Sequence, residues 1–292
     1  MNTIPTAPGT NPAISPEVPA GHISLATLRE MKARRQPIAM LTCYDFPTAK
    51  VLARTGVHVL LVGDSAATTI LGESSTVRVT MDFLVTITDA VRRGAPNVFL
   101  MADLPFASYP DVTTGVANAA RFIREAGADC VKLEADARHR EVVEAMAASG
   151  IAVCAHLGLL PQRAMQQGGY FAQGRTTTDA QRIIDDAVLL AKAGAGMLLL
   201  EAIPDEVTAE IVKSVACPVV GCGAGPSADG HVVVLHDMLG FSARPPRFVD
   251  KLADVPEVIA DAANRYVQAV TRREYPAARH QYRMKVSGDG NK

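Results

Sequence analysis

The 292-residue sequence predicts an α/β chain folded as a single-domain (β/α)8 barrel, the TIM-barrel architecture. Three observations carry this expectation. Short, continuously apolar runs rich in Val, Leu, Ile and Ala recur along the chain, as parallel strands buried on both faces do. Mixed segments long enough for a helix separate the runs, which is the alternation of a parallel sheet covered by helices. Several of those segments close on Gly, usually with Lys or Arg nearby, as helices do before a following strand: "VLARTGV", "AVRRGAPN", "IREAGADC", "MAASGIAV" and "LLAKAGAG". An open doubly wound sheet rarely needs so many units.

Residues 1–23 are rich in Pro, Thr and Ala and have neither a basic start nor an apolar core, so they read as a disordered arm rather than a secretion signal. The barrel domain is expected over 24–275. It opens with a helix in "SLATLREMKARRQ", where Ser24 is placed to cap and Leu25, Leu28 and Met31 share one face. The strand runs are "IAMLTCYD" (38–45), "VHVLLVGDS" (57–65), "NVFLMADLP" (97–105), "CVKLEA" (130–135), "IAVCAHLGL" (151–159), "GMLLLEAIP" (196–204) and "CPVVGCGAG" (217–225). A less regular eighth lies in "HVVVLHDMLG" (231–240), and "VPEVIADAANRYVQAVTRREY" reads as a final helix before a polar tail over 276–292. No composition shift or long linker marks an internal boundary.

Lys plus Arg (29) balance Asp plus Glu (30) without a block of either sign, which argues against nucleic-acid or anionic-membrane partners and for a small molecule. Five cysteines (Cys43, Cys130, Cys154, Cys217 and Cys222) form no C-x-x-C pair, so reduced thiols in a cytoplasmic protein are expected. No apolar run approaches the ~20 residues of a membrane span.

The chemistry lies at the ends of the runs. Asp45, Asp64 and Asp103 end the first three, Glu134 stands one residue from the end of the fourth, Glu201 near the end of the sixth, and His156 in the corresponding place in the fifth. All strand C-termini of a parallel barrel share one face, where active sites are built. Converging carboxylates repel unless a cation or shared protons compensate, and oxygen-only donors favour Mg2+, or Mn2+ in its place, over zinc. Asp45 has an equal alternative as the cap of a helix opening at "FPTAK". Lys132 and Glu134 alternate within one strand and point the same way, either as a buried ion pair or as a functional pair in which Glu134 holds metal and Lys132 neutralises an anionic substrate. His156 reads either as a core histidine or as a group that hydrogen-bonds a substrate carbonyl or moves a proton. "VVGCGAG" lacks the dinucleotide fingerprint because Pro226 stands where a third Gly belongs, which leaves a tight loop near a ligand or a phosphate site. His231, His236 and Asp237 show no metal spacing, and no P-loop, H-E-x-x-H or G-x-S-x-G occurs.

These residues resemble the ketopantoate hydroxymethyltransferase family of pantothenate biosynthesis. The resemblance runs from about Ser24 to Tyr275 through "TCYD", "LLVGDS", "AVRRGAPN", "ADLPF", "VKLE", "HLGLLPQ", "GGYFAQGR", "LLLEAIP", "GCGAG" followed by "DG", and "LHDMLG". It implies Asp64 and Asp103 as direct Mg2+ ligands and Glu134 as the third acid of the metal site. It further implies Asp64, Ser65, Asp103 and Lys132 as binders of a 2-oxo acid, Glu201 as proton acceptor and His156 beside the substrate carbonyl. The implied reaction converts 3-methyl-2-oxobutanoate and 5,10-methylenetetrahydrofolate, through a Mg-stabilised enolate, to 2-dehydropantoate and tetrahydrofolate. The implied assembly is a cytoplasmic homodecamer. The chain departs from the family's usual pattern at Ala66, Ala67 and Thr68, at Ser74 and at Ile87, changes that bear on substrate fit and folate contacts and spare the metal and base positions. The alternatives are another Mg-dependent enolate enzyme of the carbon–carbon lyase type, whose cysteine-bearing loop has no match here, and a non-catalytic metabolite-binding barrel, which would be expected to lose Glu201 or a metal acid.

Overall fold

The computed structural model describes residues 21–284. Residues 1–20 of the expected arm and 285–292 of the expected tail lie outside them. Eight parallel strands close into a barrel in sequence order: β1 (Ile38–Thr42), β2 (Val59–Val62), β3 (Phe99–Asp103), β4 (Cys130–Glu134), β5 (Val153–Gly158), β6 (Met197–Glu201), β7 (Val219–Cys222) and β8 (Gly230–Val233). Closure is made by β8 on β1, from Ile38 opposite Gly230 to Leu41 opposite Val233. The helices are α1 (Leu25–Ala33), α2 (Phe46–Leu52), α3 (Ala66–Thr69), α4 (Met81–Gly94), α5 (Val112–Ala126), α6 (Arg140–Ala148), α7 (Ala164–Gln167), α8 (Thr177–Lys192), α9 (Asp205–Ser214), α10 (Leu235–Met238) and α11 (Val255–Thr271). The barrel class expected from the alternation is therefore found.

The described residues fall into two compact units divided after Leu235, just past β8, at a point the sequence does not mark. The first holds all eight strands. The second carries α11, which has no buried residue and exposes Val258, Ile259, Tyr266 and Val267. The eighth run behaves only partly as expected, because its strand ends at Val233 and a short helix begins at Leu235. No helix among the described residues is long and apolar enough to cross a membrane.

Alternate residues of each strand face the interior, so Ile38, Met40, Val59, Leu61, Phe99, Met101, Cys130, Cys154, Met197, Leu199, Val220 and Val232 form one buried cluster. Ile23, Leu28 and Met31 join it, so α1 plugs the end of the barrel where the strands begin. Ser24 accepts from the Thr27 amide at 3.2 Å and caps this helix as expected. Asp229, just before β8, ties the plug to the wall. Its carboxylate accepts from the Lys32 ammonium and the Val219 amide, both at 2.8 Å, and its carbonyl from the Ile38 amide at 2.9 Å.

One open alternative is decided here and one sequence expectation is corrected. Asp45 caps α2, accepting from the Thr48 amide and hydroxyl at 2.8 Å each, which is the cap reading of the two its sequence offered. Among the glycine stops, Gly127, Gly150 and Gly194 adopt positive φ, but Gly56 and Gly94 do not. Gly94 is the last residue of α4, and a Cβ there would stand 2.5 Å from the Phe46 carbonyl oxygen and 2.7 Å from the Ala49 methyl. Its missing side chain lets α2 and α4 approach, and it does not serve as a left-handed stop. Gly94→Ala is accordingly expected to cost about 1–3 kcal/mol, read as a lower denaturant midpoint with an unchanged slope.

Candidate active site

The polar residues continue the barrel's interior rows. Counting two residues on from Met101, Cys130, Cys154 and Leu199 gives Asp103, Lys132, His156 and Glu201, and one more step along β4 gives Glu134. The register then sets them side by side, with Asp103 opposite Lys132, Glu134 opposite His156 and Gly158 opposite Glu201. Asp64 enters from the loop two residues after β2. Asp64, Asp103, Lys132, Glu134 and His156 are all buried, and the Glu201 side chain is 19% exposed.

Three of these acids share one buried cation. The Lys132 ammonium lies 2.7 Å from Asp103 Oδ2, which also accepts from the Asp64 amide at 3.2 Å. Burial, the largest influence, pulls the lysine pKa down, but Asp103, Asp64 and Glu134 together outweigh it and hold the ammonium above its ordinary range. Burial pushes the Asp103 carboxyl up to about 7, opposed by Lys132 and reinforced by Asp64. Glu134 rises to about 9, first by burial and then by Asp64. Glu201 rises to about 8, again by burial first, with Lys132 lowering and Asp64 raising it.

The histidine's protonation follows from its neighbour. Lys132 Nζ stands 3.3 Å from His156 Nδ1, and an ammonium can only donate, so Nδ1 accepts and the ring proton sits on Nε2. Burial and then the adjacent ammonium hold this imidazole well below its usual pKa, so it is neutral. Nε2 lies 3.3 Å from Glu201 Oε2 without making a hydrogen bond to it.

The sequence reading missed Gln162, which organises the acids. Its amide nitrogen donates to Asp64 Oδ2 at 2.9 Å and to the Leu104 carbonyl at 3.0 Å, its backbone N–H donates to Glu134 Oε1 at 2.8 Å, and its Oε1 accepts from the Tyr109 hydroxyl at 2.9 Å. The only signal was its place at the polar end of "HLGLLPQ"; Tyr109 carried none. Ser65 is reached by the Tyr44 hydroxyl, with the two oxygens 2.8 Å apart.

Among the described residues no three His, Cys, Asp or Glu side chains are grouped to hold a metal jointly. A hard dication does not require that. Mg2+ keeps several waters and is commonly bound through one or two carboxylates together with substrate oxygens. Asp103 Oδ1 and Glu134 Oε2 are buried acceptors without a hydrogen-bond partner, in an oxygen donor set beside Asp64, and this fits such an ion. The glycine-rich loop after β7 does not suit a phosphate. Asp205 occupies it, accepting from the Ser227 amide and hydroxyl at 2.8 Å each, and a carboxylate there repels an anion.

The sequence profile of the ketopantoate hydroxymethyltransferase family matches residues 22–278. A 3-methyl-2-oxobutanoate hydroxymethyltransferase of Nitrosococcus oceani is 45% identical over 88% of this chain and 97% of its own. The Bacillus subtilis protein of that name is 43% identical over 87% of this chain and 93% of its own. Among solved structures, a phosphonopyruvate hydrolase in complex with oxalate and Mg2+ superposes with a TM-score of 0.56 at 14% identity, covering 90% of this chain and 92% of that one. A 2,3-dimethylmalate lyase of the PEP mutase/isocitrate lyase superfamily gives 0.56 at 16%, covering 89% and 91%. At such identities these two likenesses concern the fold.

Proposed function

The chain belongs to the ketopantoate hydroxymethyltransferase family and is an enzyme, and from that premise we propose that it transfers a hydroxymethyl group from 5,10-methylenetetrahydrofolate to 3-methyl-2-oxobutanoate, giving 2-dehydropantoate. The observation that carries the reading is the buried layer in which Asp64, Asp103 and Glu134 stand around Lys132, with Glu201 set beyond His156. The C3 proton of a 2-oxo acid is too weakly acidic for an unaided carboxylate, so both electrostatic help and a strengthened base are needed. When bound, Mg2+ held by Asp64 and Asp103, with Glu134 as the third acid, supplies Lewis acidity to the keto oxygen.

The chain's own side chains do the rest. Lys132 carries the positive charge that receives the substrate carboxylate, with Ser65 as a further polar contact. The neutral His156 presents its Nε2 hydrogen toward the oxygen that gains charge. Glu201, its pKa raised by burial, takes the proton from C3, the carbon forms a bond to the methylene carbon of the folate, and water supplies the hydroxyl as the bonds from that carbon to the folate nitrogens break and tetrahydrofolate leaves with the protons. The departures from the usual pattern leave this machinery in place: Ala66 and Ala67 are fully buried in α3, Thr68 donates to the Ser65 carbonyl at 3.0 Å, Ser74 is exposed, and Ile87 is half-buried in α4. The same kinship supports a cytoplasmic homo-oligomer, read as a decamer, acting on small molecules.

Mass spectrometry tests the reading. The 2-oxo acid and methylenetetrahydrofolate are expected to yield 2-dehydropantoate, and a chelator is expected to remove the product. Absence of product in the presence of Mg2+ would overturn the reaction, and product indifferent to chelation would overturn the metal.

A further inference from the structure

The stretch "LLPQR" after β5 builds a clamp on two of the acids. Pro161 opens a 3-10 turn over Pro161–Arg163, and the first N–H groups of such a turn find no partner inside it. The Gln162 N–H is therefore available, and it goes to Glu134 Oε1 at 2.8 Å. The side chain is fixed by the chemistry of its two ends. A carbonyl only accepts, so the atom facing the Leu104 carbonyl at 3.0 Å is the amide nitrogen, and the oxygen is the atom that takes the Tyr109 hydroxyl at 2.9 Å. Held at both ends, the amide presents its second hydrogen to Asp64 Oδ2 at 2.9 Å and cannot turn its oxygen there, where two acceptors would repel. Tyr109 is itself seated by an edge contact with the His139 ring, 5.9 Å between centroids, and by Gly115, where a Cβ would stand 3.3 Å from its own.

The clamp divides the carboxylate oxygens into two sets. Gln162 holds Asp64 Oδ2 and Glu134 Oε1, while Lys132 and the Asp64 backbone N–H hold Asp103 Oδ2. One oxygen of each acid remains, and among the described residues Asp103 Oδ1 and Glu134 Oε2 are buried without a hydrogen-bond partner. Protein donors thus decide which oxygens are left to face a shared cation.

We propose that Gln162, and Tyr109 through it, are positioning residues for the metal, setting how tightly it binds by fixing the orientation of Asp64 and Glu134. The inference rests on the Mg2+ reading above. Without the clamp both carboxylates must be ordered when the ion arrives and drawn off the Lys132 ammonium they would otherwise approach, so affinity falls.

The test counts free Mn2+, used in place of Mg2+, by electron paramagnetic resonance in the presence of 3-methyl-2-oxobutanoate, with urea unfolding as the control for an intact barrel. Gln162→Met keeps the side chain's length and removes its donors, and is expected to weaken Mn2+ binding by roughly 10- to 100-fold. Tyr109→Phe leaves the Leu104 anchor in place and is expected to weaken it by about threefold, the share of one hydrogen bond. Raising Mg2+ should restore kcat in Tyr109→Phe, which it would not do if the hydroxyl served only the fold. Wild-type Mn2+ affinity in a Gln162→Met protein that unfolds cooperatively overturns the proposal, and wild-type affinity in Tyr109→Phe overturns the part given to Tyr109. Should Gln162→Met not fold, Tyr109→Phe decides alone, and unchanged affinity there overturns the whole. A wild type that takes up no Mn2+ with the oxo acid present means instead that the metal reading has failed, and the positioning role falls with it.

Discussion

Glu201→Gln is expected to lower solvent-deuterium exchange at C3 of 3-methyl-2-oxobutanoate by roughly a hundred- to ten-thousand-fold, the contribution of a positioned general base. Mg2+-dependent binding of the oxo acid should be largely retained, because the Glu201 carboxylate lies near His156 and makes no ion pair with Lys132 or hydrogen bond to the acids. Calorimetry tests the separation: binding lost together with exchange would refute it. The wild-type pH profile gives a second check. A base raised to about 8 is ionised in only a small fraction at neutral pH, so exchange should climb with pH and level off above about 8. A profile flat from pH 6 to 9 would remove Glu201 from the role.

Lys132→Met should have the largest effect on stability. Among the described residues the ammonium is the one cation paired with Asp103, and both partners are almost completely buried. Removing it leaves an uncompensated buried carboxylate, a loss of about 3–5 kcal/mol. The sign with pH follows from Asp103, whose folded pKa, already pushed up to about 7, rises further without its partner. A carboxyl with a folded pKa above its unfolded value of about 4 contributes most below pH 4, and that stability is lost as pH rises to the folded pKa. The deficit of the variant against the wild type should therefore be widest at pH 8 and narrow toward pH 5, measured by urea unfolding. A deficit independent of pH would mean that lost packing, not charge, is responsible.

Much of the fold was legible because a strand buried on both faces and a helix ending on Gly each leave a local trace. The runs around Leu60, Leu133 and Leu199 could hardly be read otherwise. The acids that gather around Lys132 were legible for the same reason: a carboxylate closing an apolar run, as at Asp64, Asp103 and Glu134, contradicts its surroundings and so draws attention. What stayed open or was missed was decided by contacts that the local pattern does not show. Asp45 ends its run in the same way as Asp64, so its cap and site readings stood level, and the docking of its two oxygens on Thr48 decides for the cap. Gly94 resembles Gly127, yet its reason is the Phe46 backbone on another helix. Gln162 stands 98 residues from Asp64 and 28 from Glu134, and neither separation has a periodicity to betray it.

The plug at the base of the barrel bears on how the chain comes off the ribosome. Helix α1 is made early, but the Asp229 carboxylate that anchors Lys32 follows it by 197 residues. At ordinary translation speeds that interval is on the order of 10–40 s. Throughout it, Leu28 and Met31 have no completed ring beneath them to enter. The nascent chain thus carries an uncovered apolar helix for nearly the whole of its elongation, until β8 arrives and closes the circle on β1.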